Sequence, residues 1–345
     1  MLRNGTIDAL NEVTATGKYR NGRDLLTTYL GIPLLDHPIS IVVAFFDDQT
    51  NGLDLGARLM MVEFLGSLQT VALWTLVESL RTQQKPTSMT IPAVWGLLWN
   101  ASGSALILPI YMYFHMRWWC KTPKGSDMRV PLHHAKVLSF SVLAGAFLPA
   151  AVLLLPPYVD RDPTSHQAIT AIFQASPVFV FVIQHAISKI TSRFSGSRQQ
   201  MISDESTQYV QRAYLLTGLI AALAHLYVFA VSLGTENSAL GFSRIFVPSP
   251  EQVLRSSDSI VKEGALLFLQ YDWIITNVAC VLWIFFLLRG SLEGPFGLHD
   301  IAKVLGLCGL ALALGPGAMG SLGLWWREKC LEKSRGLSVQ ENGRK

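Results

Sequence analysis

The stretch Gly264-Ala-Leu-Leu-Phe-Leu-Gln-Tyr-Asp-Trp-Ile-Ile-Thr276, continued by Asn277-Val-Ala-Cys-Val-Leu-Trp-Ile-Phe-Phe-Leu-Leu288, carries one acid, Asp272, and no base. As a helix rising about 1.5 Å per residue, it is long enough to cross the roughly 30 Å hydrocarbon core of a bilayer. Asp272 then lies roughly 12 Å inside a helix that begins near Gly264. A carboxylate at that depth costs several kcal/mol unless it is paired, hydrated or protonated. An acid kept protonated in an apolar place can pass its proton to a substrate shielded from water. Asp272 is therefore the first candidate catalytic residue.

The rest of the chain repeats this hydropathy. Of its 345 residues half are hydrophobic and only 15% are charged, against about 25% in an ordinary soluble domain. Apolar runs of about 20 residues recur, which predicts an all-α, polytopic membrane bundle. Seven spans are expected near 59–80, 91–114, 137–155, 168–190, 214–233, 264–288 and 301–325. An apolar run over 32–46 is shorter and is interrupted by Pro33, Asp36 and Pro38. It reads as an interfacial or re-entrant segment, or as an eighth span. The expected organisation is a polar N-terminal segment over 1–30, a single transmembrane bundle over 31–325, and a disordered polar tail over 326–345.

Composition narrows the function. The net charge of +4 is small and its basic residues fall in loops and at the C-terminus, so no nucleic-acid footprint is visible. Cys120, Cys280, Cys308 and Cys330 are scattered and suggest neither a zinc site nor a disulfide scaffold. No cleavable signal peptide is expected, so the first hydrophobic segment directs insertion. Asn4-Gly5-Thr6 is a glycosylation sequon, and Asn100-Ala-Ser102 is a second one inside an apolar span. Arg117, Lys121, Lys124, Arg129 and Lys136 occupy one loop, and Lys189, Arg193, Arg198 and Arg212 occupy another on the same side. Positive-inside reasoning makes that side cytoplasmic. Arg327, Lys329, Lys333 and Arg335 in the tail argue the other way.

Crossing parity through seven spans places Glu78, Asp272, Trp95 and Trp99 in one half of the membrane, whichever way the chain is oriented. Two acids and an aromatic wall would form a polar pocket there. The plainer reading of Glu78 is a residue near a helix end, paired with Arg81. On the Asp272 helix, Thr276 and Trp283 follow at steps of four and eleven residues and share its face. A hydroxyl can orient a carboxyl, and an indole face stabilises a cation. Tyr271 and Gln270 add donors beside the acid. Trp95, Trp99, Tyr271, Thr276 and Trp283 are thus candidates for stabilising a cation or binding substrate. Each aromatic also has an ordinary packing use. Glu63 and His225 are lesser candidates, and Gln184 and His185 read as interfacial.

Asp47-Asp48-Gln49-Thr50-Asn51 looks like the aspartate-rich magnesium motif of class I terpene synthases, since paired carboxylates with a third oxygen ligand suit a metal–diphosphate site. A second metal triad is not found, and an acidic turn at the membrane surface is the plainer reading.

Two stretches carry a family resemblance. Leu34-Leu35-Asp36 through Ala44-Phe45-Phe46, with the helix ending Leu76-Val77-Glu78-Ser79, is one. Phe268-Leu-Gln-Tyr-Asp-Trp273 is the other. Their spacing and the hydropathy profile resemble the small fungal integral-membrane terpene cyclases of meroterpenoid pathways, the group associated with ascofuranone, ascochlorin and macrophorin. The resemblance implies cyclisation of a farnesyl chain on an aromatic or quinone-like core, begun by protonating a terminal epoxide or olefin. It implies Glu78 and Asp272 as the catalytic acids, by analogy with a shorter cyclase class that uses one early and one late membrane acid. It implies no metal and no cofactor, because no diphosphate leaves. The expected partners are a prenylated small molecule and membrane lipid, with no nucleic acid and no protein, and the expected location is the endoplasmic reticulum. The family continues after Phe-Phe with Trp-Pro and a single Asp, where this chain has Asp47-Asp48-Gln49. Burial favours the neutral form of a carboxylic acid, and aromatic rings shepherd carbocations, so residues and chemistry agree. A seven-helix receptor and a proton-coupled transporter using Asp272 as relay are the competing readings.

Overall fold

The computed structural model describes residues 4–123, 126–155, 161–194, 203–256, 259–289 and 296–342. Lys124 and Arg198 of the charge argument lie outside them. All regular elements among the described residues are helical apart from a lone bridge between Lys18 and Asp24. Among the described residues three helices are long and apolar enough to cross a membrane: Leu55–Leu80, Glu205–Gly234 and Ile260–Arg289. The bent pair Pro163–Phe173 and Ser176–Arg193, at 55°, would make a fourth span.

The expected count of seven spans is therefore not reproduced, and the reason is local backbone chemistry. The run over 91–114 divides into Pro92–Ser102 and Ser104–Lys121 at Gly103, whose φ of 90° only glycine adopts readily. The run over 301–325 divides into Leu298–Leu314 and Pro316–Asn342 at Gly315, φ 87°, followed by proline at the first helical position. Between 137 and 155 short helices flank a π-helical turn, Leu143–Phe147. Hydropathy windows see composition and pass over such breaks. The parity argument relied on seven crossings, a count that these helices do not confirm. The run over 32–46 is part of an 18-residue helix, Pro33–Thr50, with Pro33 at its first position.

The chain divides into two compact units. The first comprises Met1–Leu65, Leu148–Ser176 and Tyr227–Ile275. Its N-terminal part is not a bare polar segment. The helix Thr6–Thr16 presents Ala9, Leu10 and Val13 to a core that includes Tyr19, Leu25, Val43, Ala44 and Val261. The second comprises Gly66–Phe147, Pro177–Leu226 and Thr276–Lys345. Its packing is set by small residues on the helix Pro316–Asn342. A Cβ at Gly320 would run into the Trp74 ring, whose Nε1 donates to Ser321 Oγ at 3.1 Å. Ser321 in turn sits against Gly218, and Gly317 against Ala221. Small residues let apolar helices approach closely enough to gain dispersion contacts.

Candidate active site

The second unit is organised around Glu78, at the end of the helix Leu55–Leu80. It is fully buried and accepts four hydrogen bonds. Arg81 gives two, Nε to Oε2 at 2.9 Å and Nη2 to Oε1 at 2.8 Å. Arg327 Nη1 reaches Oε1 at 2.8 Å, and His115 Nε2 reaches Oε2 at 3.0 Å. Arg81 also pairs with Glu328 and donates to the Met128 carbonyl at 2.6 Å. Two carboxylates and two guanidiniums thus close into a charge-balanced group. The plainer sequence reading paired Glu78 with Arg81, and the structure shows that pair with both side chains buried.

The histidine tautomer follows from its neighbours. Trp283 Nε1 is a donor only and lies 3.1 Å from His115 Nδ1. His115 Nδ1 therefore accepts, and the ring proton on Nε2 points at Glu78. A single direction of donation runs from Trp283 through His115 to the carboxylate. Trp283 is stacked on Trp74 at 6.1 Å, and the face of Trp119 lies 4.1 Å from the Arg327 guanidinium. Lys85 closes the helix end by donating to the carbonyls of Glu78, Ser79 and Arg81, as a cation at a helix C-terminus should.

Asp272 belongs to the first unit. It is 3% exposed, on the helix Ile260–Arg289. Trp273, next in sequence, donates from Nε1 to Glu63 Oε1 at 3.3 Å, and Glu63 is buried too. The Trp273 ring lies 5.2 Å from Phe246, which continues into Phe229 and Phe242. Gln270 is anchored by donating to the carbonyls of Arg244 and Ile245. Below this region Arg244 holds Asp54 and Glu263, and Lys262 reaches both acids. Burial works against the Asp54 carboxylate, but the Ala57 N–H, Arg244 and Lys262 outweigh it and hold the group below the usual range.

The Asp47-Asp48 stretch is the last turn of a helix, not a surface turn. Arg23 spans both carboxylates, with Nη1 at 2.9 Å from Asp47 and Nη2 on Asp48. Burial pushes the Asp47 carboxyl up to about 6 although Arg23 opposes it. A guanidinium thus bridges the two carboxylates. Among the described residues no group of three or more His, Cys, Asp or Glu is placed to hold a metal ion.

The other expected residues fall as follows. Thr276 is buried and shares a 2.7 Å hydrogen bond with Ser104. Thr276 and Trp283 are buried as Asp272 is, consistent with one inward face of the helix, whereas Tyr271 is 46% exposed and faces outward. Trp95 packs edge-on against Tyr111 at 5.4 Å and donates to the Ser88 carbonyl. Trp99 is buried and lines a small apolar cavity with Thr75, Leu76 and Pro177. His225 bonds the Leu312 carbonyl at 3.1 Å, and Gln184 bonds the His134 carbonyl at 2.9 Å. Sequence reasoning missed His115, Arg327 and Glu328. The last two lie in the stretch read as a disordered tail, yet each is 3% exposed. The available signal was the indole pair Trp325-Trp326 directly before Arg327, after a glycine-rich run.

Comparison with known proteins covers most of the chain. The CtvD-domain family profile matches residues 1–331. Terpene cyclase DEP1 of Fusarium langsethiae is 28% identical over 340 residues, which cover 94% of this chain and 92% of the relative. Terpene cyclase DEP1 of Alternaria brassicicola is 28% identical over 344 residues, with the same coverage. Terpene cyclase alnG of Emericella nidulans is 26% identical over 335 residues, covering 92% of this chain and 86% of the relative. No solved structure matches.

Proposed function

Because the chain belongs to the CtvD-domain family, we propose that it is a terpene cyclase of fungal metabolite biosynthesis in which Asp272 supplies the initiating proton. The observation that carries this is a buried acid in an apolar span, next in sequence to Trp273, whose ring packs on Phe246 and whose Nε1 donates to the buried Glu63. The substrate in this reading is a prenylated small molecule with a farnesyl chain. The apolar helices fit a multi-pass membrane enzyme, and the endoplasmic reticulum is its proposed location.

The chemistry is an acid-initiated isomerisation. The Asp272 carboxyl passes its proton to the CH carbon of the terminal dimethyl-substituted olefin, or to the oxygen of a terminal epoxide. The alkene electron pair forms the new C–H bond, or the C–O bond breaks, and a tertiary cation results. The next double bond attacks that cation and closes a ring. Loss of a proton from the last cation restores a double bond, so product and substrate are isomers. Trp273 and Phe246 are the rings placed to stabilise the cation. Glu63, held by the Trp273 indole, is the nearby carboxylate suited to taking the final proton.

Glu78 takes a different part in this reading. Four hydrogen bonds, three of them from two guanidiniums, hold it as a carboxylate, which makes it a counter-charge and not a proton donor. Trp283 is committed to His115, and Thr276 to Ser104.

The test is to supply a farnesylated phenol and its terminal epoxide to the purified protein in detergent. Wild type should give a cyclised isomer from one of them, and Asp272→Asn should lose about 10²–10⁴-fold in kcat. Absence of a cyclised product from both substrates in wild type rejects the cyclase reading. Full activity in a folded Asp272→Asn rejects the proton donor.

A further inference from the structure

The first unit contains a cavity of about 160 Å³ lined by Val13, Tyr19, Asp48, Leu53, Ile260 and Lys262, among others. The reaction proposed above does not use it. Its volume is that of a site for a single six-membered ring, since a cavity of about 150 Å³ takes up benzene. Its walls mix aliphatic carbon with polar groups, and every charged group among those polar linings already has an opposite charge. Asp48 is held by Arg23, Lys262 by Asp54 and Glu263, Asp54 by Arg244, and Arg20 by Glu12. An ionic guest would find no free counter-charge. What is unsatisfied is the hydroxyl of Tyr19, a residue 5% exposed whose Oη has no hydrogen-bond partner. A buried O–H without an acceptor is uncommon and marks a place where an acceptor belongs.

Position adds a length. Ile260, Val261 and Lys262 line the cavity at the first turn of the helix Ile260–Arg289, and Asp272 lies further along the same helix. Ten to twelve residues at about 1.5 Å each put the acid roughly 15–18 Å from the cavity along the axis. Phe268, one turn before Asp272, stacks edge-on with Phe45 at 5.5 Å and lies on the intervening stretch. The twelve main-chain carbons of an extended farnesyl group reach roughly 14 Å with C–C bonds near 1.5 Å. A ring seated in the cavity supplies the remainder. A geranyl chain, four carbons shorter, falls short by roughly 5 Å.

We propose that this cavity receives the head of the substrate: a neutral aromatic or quinone-like ring whose carbonyl or phenolic oxygen accepts from Tyr19, with the prenyl chain running along the helix to Asp272. The inference rests on the cyclase reading and adds to it a head-group site and a chain length. It also gives a use to the departure at Asp47-Asp48, because Asp48 forms part of the wall. A lipid ester carbonyl offers the same acceptor chemistry, and the experiment separates the two.

Binding is measured first, in lipid-free detergent, with the unprenylated ring compound and with its geranyl and farnesyl derivatives, on wild type, Tyr19→Phe and the cavity-filling Leu53→Trp. The ring compound should bind wild type. Both variants should weaken it about tenfold or more, and added phospholipid should not displace it. In turnover, the loss in Tyr19→Phe should fall on KM rather than kcat. The geranyl derivative should bind but not cyclise. Equal ring affinity in wild type and both variants overturns the head-group site, and so does displacement by phospholipid alone. Cyclisation of the geranyl derivative at the farnesyl rate overturns the length argument. An inactive Asp272→Asn together with unchanged KM in Tyr19→Phe sinks this inference and leaves the cyclase standing. Lack of cyclisation by wild type sinks the cyclase, and the binding measurements still decide the site.

Discussion

Replacing Glu78 with Gln should destabilise the second unit by about 3–5 kcal/mol, the cost of breaking a buried ion pair by deleting one partner. The substitution looks conservative, but the geometry makes it harsh. Gln keeps one acceptor oxygen, which can still serve Arg81 Nη2 and Arg327 Nη1, both at 2.8 Å from Oε1. Its amide nitrogen would then face two further donors, Arg81 Nε and His115 Nε2, at the place of Oε2. His115 cannot relieve this by changing tautomer, because its Nδ1 already accepts from the Trp283 indole at 3.1 Å. The lost charge also falls unevenly. Arg81 keeps Glu328, whereas the Arg327 guanidinium has its one carboxylate bond to Glu78 and has Nε and Nη2 unpartnered already. Removing that cation as well should therefore recover much of the loss. The pair Glu78→Gln and Arg327→Met should be less damaging than the sum of the single changes, by about 1–3 kcal/mol of coupling. The assay is denaturant unfolding in detergent, followed by tryptophan fluorescence, since Trp74, Trp119 and Trp283 surround the network. A single-variant loss under about 1 kcal/mol, or strict additivity of the double variant, would refute the view of Glu78 as the hub of a charge-balanced group.

Gly320→Val drives a branched side chain into the space held by the Trp74 ring; unfolding should show a loss of about 1–3 kcal/mol or more, with a shifted tryptophan emission as the Trp74–Ser321 bond breaks. Burial lowers His134 to about 4, with His133 and His185 adding to it. Its neutral form therefore stabilises the fold fully above pH 6.5, and the contribution is lost as pH falls from 6.5 toward 4. The ring is half-buried, so screening brings the expected effect to about 1 kcal/mol. Thermal midpoints at pH 7 and pH 5 should differ in wild type, and the difference should shrink in His134→Phe.

What the sequence disclosed and what it hid divide along physical lines. Helical class and the shared buried face of Asp272, Thr276 and Trp283 follow from periodicity and from the cost of an acid in an apolar run, whereas the burial of Glu63 and Glu78, near the ends of their span, does not. The breaks at Gly103 and Gly315 do not, because a window of hydropathy gives glycine no weight as a residue able to take a φ near +90°. The same blindness hid Arg327 and Glu328. Averaged hydropathy falls sharply after Trp326, and a polar run at a chain end is ordinarily left to solvent. Here the helix that starts after Gly315 carries these two residues back into a protein interior, where two opposite charges stand ready for them on Arg81 and Glu78.

That pairing explains why polar residues at the end of the chain can be buried at all. Neither Arg327 nor Glu328 can be buried alone, nor can Glu78 or Arg81, since each isolated charge would forfeit its hydration. As a set of four their charges sum to zero, and each acid meets a guanidinium within hydrogen-bonding distance. The group is complete only when the last helix docks, so the C-terminal helix is required for folding of the second unit and is not an appendage. A chain truncated after Trp326 should reproduce the instability of Glu78→Gln and exceed it, because Arg81 then loses Glu328 while Glu78 loses Arg327. If such a truncation unfolds at the wild-type midpoint, the docking of the last helix contributes nothing, and the four-charge group cannot be what holds it.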